Sequence, residues 1–210
     1  MLDEGIAGAK NSLLHGPALV VINDGPFYRD NLNKIRKRAG TTKSQDVGSV
    51  GRFGMGQKSV FHLCEAWLCI GRSEKEGVLA GHLNPWSPDE WDGEHKVERD
   101  PDFPDWVGFS EDDQKLVQQC FGDSLSGNGW FLLWIPLRLA GHIRPEGGRI
   151  IEYEPTAASL SQTLDDLAPL GRLLPQLAHL RQIEFHRHQV AGSGQRLSQV
   201  LAEKGGTHLS

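Results

Sequence analysis

The chain has 210 residues, 38% of them hydrophobic, a net charge of −5 and a pI near 6.0, which suits one sizeable core and makes two independent ones unexpected. That charge gives no global argument for binding nucleic acid or a membrane surface. Three cysteines, Cys64, Cys69 and Cys120, with no C-x-x-C pair, set aside a disulfide framework and a zinc site, and the lack of a leader pattern or long apolar run makes the cytoplasm the expected setting.

The first predicted element is a buried strand in "ALVVIND" (18–24), β-branched and closed by Asp-Gly-Pro. A helix is predicted over "RDNLNKIRKRAG", with Asp30 or Asn31 as N-cap, Leu32, Ile35 and Ala39 on one face and Gly40 as the stop. The sixteen residues "TTKSQDVGSVGRFGMG" (41–56) exceed an ordinary connection and read as a functional loop. Eight Lys or Arg stand between Arg29 and Lys58 against Asp30 and Asp46.

"GRFGMGQKS" (51–59) invites comparison with phosphate-binding loops. Gln57 separates Gly56 from Lys58, which breaks a Walker A loop, and Ser59 stands where a dinucleotide fingerprint needs its third glycine. Three glycines beside Arg52, Lys58 and Ser59 still point to anion chemistry. "QKSVFHLCEAW" is predicted as a helix whose start would aim free N–H groups and its positive dipole end at whatever the loop encloses.

"AWLCIGRS" and "GVLAGHLN" read as paired strands around a charged turn between Gly71 and Gly77. "PWSPDEWDGEHKVERDPDFPDW" holds four of the eleven prolines, and the segment at about 84–113 is expected to be a surface excursion. Between Ser87 and Asp113, eleven acids oppose Lys96 and Arg99, as on a solvated face. "DDQKLVQQCFG" predicts a short helix and "GWFLLWIPLR" a central strand, apolar on both faces and stopped by proline. "AASLSQTLDDLAPLGRLLPQLAHL" predicts two helical pieces broken around Pro169 to Pro175, and "RQIEFHRHQV" a closing strand. His186 and His188 share a face at strand spacing, with no third ligand evident. The six tryptophans read as core and excursion anchors, since they do not alternate with basic residues.

A strand ending in Asn-Asp-Gly, a basic helix, a long loop and a glycine-rich helix start together resemble the GHKL superfamily of ATPases, which groups gyrase, heat-shock-90, histidine-kinase and mismatch-repair proteins. The resemblance is closer to the sacsin-like branch. "LDEGIAG" (2–8), "GPALVVINDGPF" (16–27), Gly51-Arg52-Phe53-Gly54, "IPLR" (135–138) and "LAHLRQIEF" (177–185) carry it, densely at 16–62. It implies an α+β fold, a two-layer α/β sandwich of the Bergerat type with a mixed sheet and helices on one face. It also implies a single domain over 1–210, incomplete at its N-terminus.

The same resemblance implies ATP as ligand. Asn23, Asp24, Gly25 and Phe27 would form the adenine box, with Asp24 accepting the exocyclic amine. Thr41, Thr42 and Lys43 would belong to a lid, and Gly51, Arg52, Phe53, Gly54, Met55, Gly56, Lys58 and Ser59 to the phosphate box. No catalytic and no metal-binding residue is assigned. The superfamily's general-base Glu and Mg²⁺-holding Asn lie on an upstream helix, and Glu4 stands only 20 residues before Asp24, too close for a helix end and a further strand between them. Mg²⁺ is thus expected only with that helix present, and the chain is expected to be part of a longer polypeptide or a truncated gene product. Trp130 and Phe131 occupy the positions of the family's adenine-holding Gly-Thr pair.

Blander readings remain open: Asp24 as a turn former, Lys58 and Ser59 as first-turn helix residues, Thr41, Thr42 and Lys43 as solvated loop or cap residues. The functional alternatives are a nucleotide-driven conformational switch acting on protein partners or the rest of the polypeptide, a binding module without hydrolysis, and an interaction domain whose basic loop meets an acidic partner. The downstream task, chaperone-like or otherwise, is not specified by these residues.

Overall fold

The computed structural model describes residues 4–36, 59–86, 105–106, 108–125, 127–142, 150–151, 154–164, 182–188, 194–203 and 206–209. The strands are β1 (Ala18–Asn23), β2 (Trp67–Ser73), β3 (Gly77–Leu83), β4 (Trp130–Pro136), β5 (Gln182–His188), β6 (Gly194–Glu203) and β7 (Gly206–Leu209); the helices are α1 (Arg29–Arg36), α2 (Glu111–Cys120) and α3 (Ala157–Leu164). None of these helices is long and apolar enough to cross a membrane.

A four-stranded sheet runs in the order β1-β4-β2-β3, and β5-β6-β7 form a three-stranded sheet. Every pairing among the described residues is antiparallel. The chain is thus mixed α and β as expected, and the sheets are antiparallel among the described residues, where a mixed sheet was expected.

β4 is central because both its faces are apolar. Leu133 and Ile135 join Leu19, Trp67 and Cys69 on one side, while Leu132 and Trp134 join Val20, Leu68 and Ile70 on the other. Such a strand must be covered twice. Leu32 and Ile35 of α1 pack on the first face, and Val117 and Leu116 of α2 pack on the second. Helices thus cover both faces of this sheet, where the sequence reading placed them on one.

α1 starts at Arg29, slightly ahead of both predicted N-caps. The Tyr28 N–H is taken by Asn31 Oδ1 at 3.0 Å and the Arg29 N–H by Glu76 Oε2 at 2.6 Å. The turn between β2 and β3 thus helps cap the helix, satisfying donors that a helix start leaves without partners. Residues 37–40, where the predicted stop falls, lie outside the described residues.

The two ends of the predicted excursion are packed inward. Trp106 is fully buried and donates from Nε1 to Ser12 Oγ at 3.2 Å. Asp105 accepts from the Ser12 N–H. The Asp113 carboxylate, 1% exposed, accepts from the backbone N–H groups of Lys10 at 2.7 Å and Asn11 at 3.2 Å. Those carboxylates hold the N-terminal segment, in which Ile6 donates to Leu14 O at 2.7 Å, against the second face of the sheet. Asp112, by contrast, is exposed and pairs with Lys10 at 2.7 Å. The acidic stretch is therefore a solvated face only in part, and residues 87–104 lie outside the described residues.

β5 is present as predicted, but it is followed by β6 and β7, which the sequence reading did not anticipate. Of the two helical pieces predicted after residue 157, α3 covers the first and 165–181 lie outside the described residues.

Candidate functional site

Among the described residues β1 lies at the edge of its sheet, and its last residue, Asn23, is paired with Phe131. Asn23, rather than Asp24, makes the turn that follows, since its Oδ1 accepts the Gly25 N–H at 3.1 Å. A short polar side chain bonding to the backbone two residues on is a standard turn device. Asp24 is exposed, and its carboxylate has no hydrogen-bond partner among the described residues.

Behind the turn, Phe27 is buried at 4% exposure, its ring centroid 4.7 Å from that of Phe131, and its N–H donates to Arg72 O at 3.1 Å. Two glycines make room for this. A Cβ on Gly71 would lie 2.5 Å from Phe27 Cβ, and one on Gly129 would lie 2.9 Å from Pro26 Cα. Phe27 therefore supports the Asn-Asp-Gly turn from within the core. Gly71→Ala should displace it and lower stability by about 1–3 kcal/mol, read by chemical denaturation, because the core offers the added carbon no space.

The second predicted box is described only from Ser59 onward. Ser59 is exposed at the start of a 3₁₀ turn, Ser59–His62, whose Val60 and Phe61 pack with Phe27 and Leu32 in one cluster. The described parts of both boxes thus reach the same face of the sheet. Thr41, Thr42, Lys43, Gly51, Arg52, Phe53, Gly54, Met55, Gly56 and Lys58 lie outside the described residues. The predicted helix through Trp67 is shorter than expected: the turn is over by Cys64, and Trp67 already begins β2. The predicted start of that helix, at 56–58, lies outside the described residues.

Phe131 and Trp130, which the sequence reading set where the resemblance implies a Gly-Thr pair, serve packing. Trp130 is 3% exposed on the α2 side and Phe131 stacks on Phe27. His186 meets Glu184 at 3.0 Å. Glu4 is exposed in the N-terminal segment.

Two residues that sequence reasoning passed over are central to the region. Glu65 and Arg138 form an ion pair at 2.6 Å, with both side chains fully buried. A glutamate set inside "HLCEAWLCI" was the available signal, because a buried carboxylate demands a partner. Beside them, burial pushes the Cys64 thiol far above its ordinary range, with Arg138 opposing the shift, so that Cys64 stays protonated at neutral pH.

Residues 3–79, from the N-terminal segment through both boxes into β3, match a protein-family model described as the Sacsin domain. The segments 135–138 and 177–185, which also carried the resemblance, lie outside that match. Sacsin of Homo sapiens is 36% identical over 75 residues, a stretch amounting to 36% of this chain and 2% of that protein. The N-terminal part of this chain is thus similar to a sacsin domain, and the chain spans only a small fraction of that relative's length.

Proposed function

We propose that the chain has a sacsin-related role and carries a GHKL-type adenine-nucleotide site at the carboxyl end of β1, acting as a nucleotide-dependent conformational switch on the rest of a longer polypeptide or on protein partners. The observation that carries this reading is the division of labour between Asn23 and Asp24. Asn23 closes the turn, so the exposed Asp24 carboxylate is left over for a ligand. The turn-former alternative loses its main support, since the turn bond it needs is made by the neighbouring residue.

The residues present suit adenine. A carboxylate at a strand end accepts an exocyclic amine, Gly25 adds no side chain beside it, and Val21 on the same strand is 44% exposed and offers apolar surface. Bound ATP would bring a triphosphate, for which the sequence between Gly51 and Ser59 supplies glycines, Arg52 and Lys58. Mg²⁺ is not assigned to any side chain of this chain, because the Mg²⁺-holding Asn that the GHKL resemblance implies would lie on an upstream helix. Hydrolysis is likewise not assigned to Glu4, and Glu4→Gln is expected to leave ATP affinity unchanged.

Calorimetric titration of ATP and ADP, with and without Mg²⁺, tests the reading. A charge-assisted hydrogen bond contributes about 1.5–3 kcal/mol, so Asp24→Asn should weaken ATP binding roughly tenfold to a hundredfold. Unchanged affinity in a folded Asp24→Asn variant would overturn the adenine assignment. Absence of nucleotide binding by the parent chain would favour the interaction-domain alternative.

A further inference from the structure

Arg138 lies just past the end of β4 and is 1% exposed. It meets four successive carbonyls of the segment that follows the glycine-rich box. Its backbone N–H donates to Leu63 O at 2.7 Å, Nη1 to His62 O at 3.1 Å, and Nη2 to Phe61 O at 2.7 Å and Cys64 O at 3.0 Å. A helical turn leaves its last carbonyls without internal partners, and a cation there is favourable. The planar guanidinium, with donors in a fixed fork, serves several of them at once where an ammonium would not.

Glu65 supplies the counter-charge. It accepts from Arg138 Nε at 2.6 Å, from Trp86 Nε1 at 3.1 Å and from the Ile150 N–H at 3.3 Å. A buried ion pair by itself often adds little over apolar side chains of the same shape. What apolar side chains lack is the ability to hold the three carbonyls of Phe61, His62 and Cys64 in place.

We infer that Arg138, with Glu65 as its counter-ion, is a positioning residue that locks the Ser59–Cys64 turn to the end of β4 and so sets the direction in which the chain enters the site at Ser59. Within the turn, the N–H groups of Leu63 and Cys64 both donate to Val60 O, at 2.8 and 3.2 Å, and they report on its integrity. The link from this clamp to ligand affinity rests on the nucleotide-binding reading; the clamp itself does not.

The test combines amide hydrogen exchange with ATP titration on the full chain, comparing the parent, the double variant Glu65→Leu/Arg138→Met and the single variant Arg138→Lys. In the double variant, exchange at Leu63 and Cys64 should rise about tenfold or more while β2 and β4 keep their protection, as expected when one local unit opens by itself. ATP affinity should fall by about tenfold or more, because a site held loosely loses preorganisation. Arg138→Lys keeps the charge but not the fork, so it should follow the double variant at both amides. It also decides the matter alone if the double variant does not fold. Parent-like protection at Leu63 and Cys64 would overturn the clamp. Lost protection with full ATP affinity would overturn its link to the site. A parent chain that binds no ATP would overturn the nucleotide reading and that link together, and the exchange result would then decide the clamp.

Discussion

Glu65→Leu alone is expected to destabilise the chain by about 3–5 kcal/mol, because it leaves the Arg138 guanidinium buried without its counter-charge. For a chain of this size that corresponds to a thermal midpoint lowered by roughly 6–20 °C. Both side chains are fully buried, so solvent screening does not soften the loss. The double variant Glu65→Leu/Arg138→Met should recover only part of it, since removing both charges removes both desolvation penalties but also takes the Arg138 donors from the carbonyls of Phe61, His62 and Cys64 and the Glu65 acceptor from the Trp86 indole N–H. A stability cycle by thermal or chemical denaturation reads the difference directly. If Glu65→Leu unfolded no more easily than the double variant, the pair would not be coupled as the 2.6 Å contact implies.

Trp106→Ala should be comparably damaging, at about 3–5 kcal/mol. Trp106 lies in the proline-rich, acidic part of the chain, where a surface position would change stability by about 0.5 kcal/mol or less. It is instead fully buried, its ring meets His142 edge-on at a centroid distance of 5.3 Å, and its indole N–H reaches Ser12. Its removal leaves a cavity beneath the N-terminal segment that leads into β1, a void whose cost grows with how little the surroundings can collapse. Denaturant unfolding of the variant measures this. A loss within the surface range would show that the packing around Trp106 adds nothing to the fold.

Where the local pattern of the chain was strong, structure followed it. The β-branched run of β1, the paired apolar segments of β2 and β3, and the doubly apolar β4 were all legible, because a short apolar run bounded by turn residues is written in adjacent residues. α1 and α2 were legible for the same reason, their apolar positions recurring at helical spacing. The Asn-Asp-Gly turn and the glycine-rich box were equally visible as short motifs, and the match over residues 3–79 falls on them.

What only tertiary structure decided was which distant residues meet. β6 and β7 carry little pattern of their own and are strands because β5 and then β6 offer them edges. The antiparallel sense of every described pairing is likewise a property of neighbours and not of any one strand. The helix predicted through Trp67 stops early because Arg138, 74 residues beyond Cys64, takes up the carbonyls that end it. Asp113, read as part of a solvated acidic face, is buried because the backbone N–H groups of Lys10 and Asn11 converge on it from 103 and 102 residues away. By itself the sequence determined where β1 to β5, the three helices and the Asn-Asp-Gly turn lie, since those depend on spacing within a few residues; which charges are buried, and which side chain at the end of β1 closes the turn, depended on partners that only folding brings within hydrogen-bond reach.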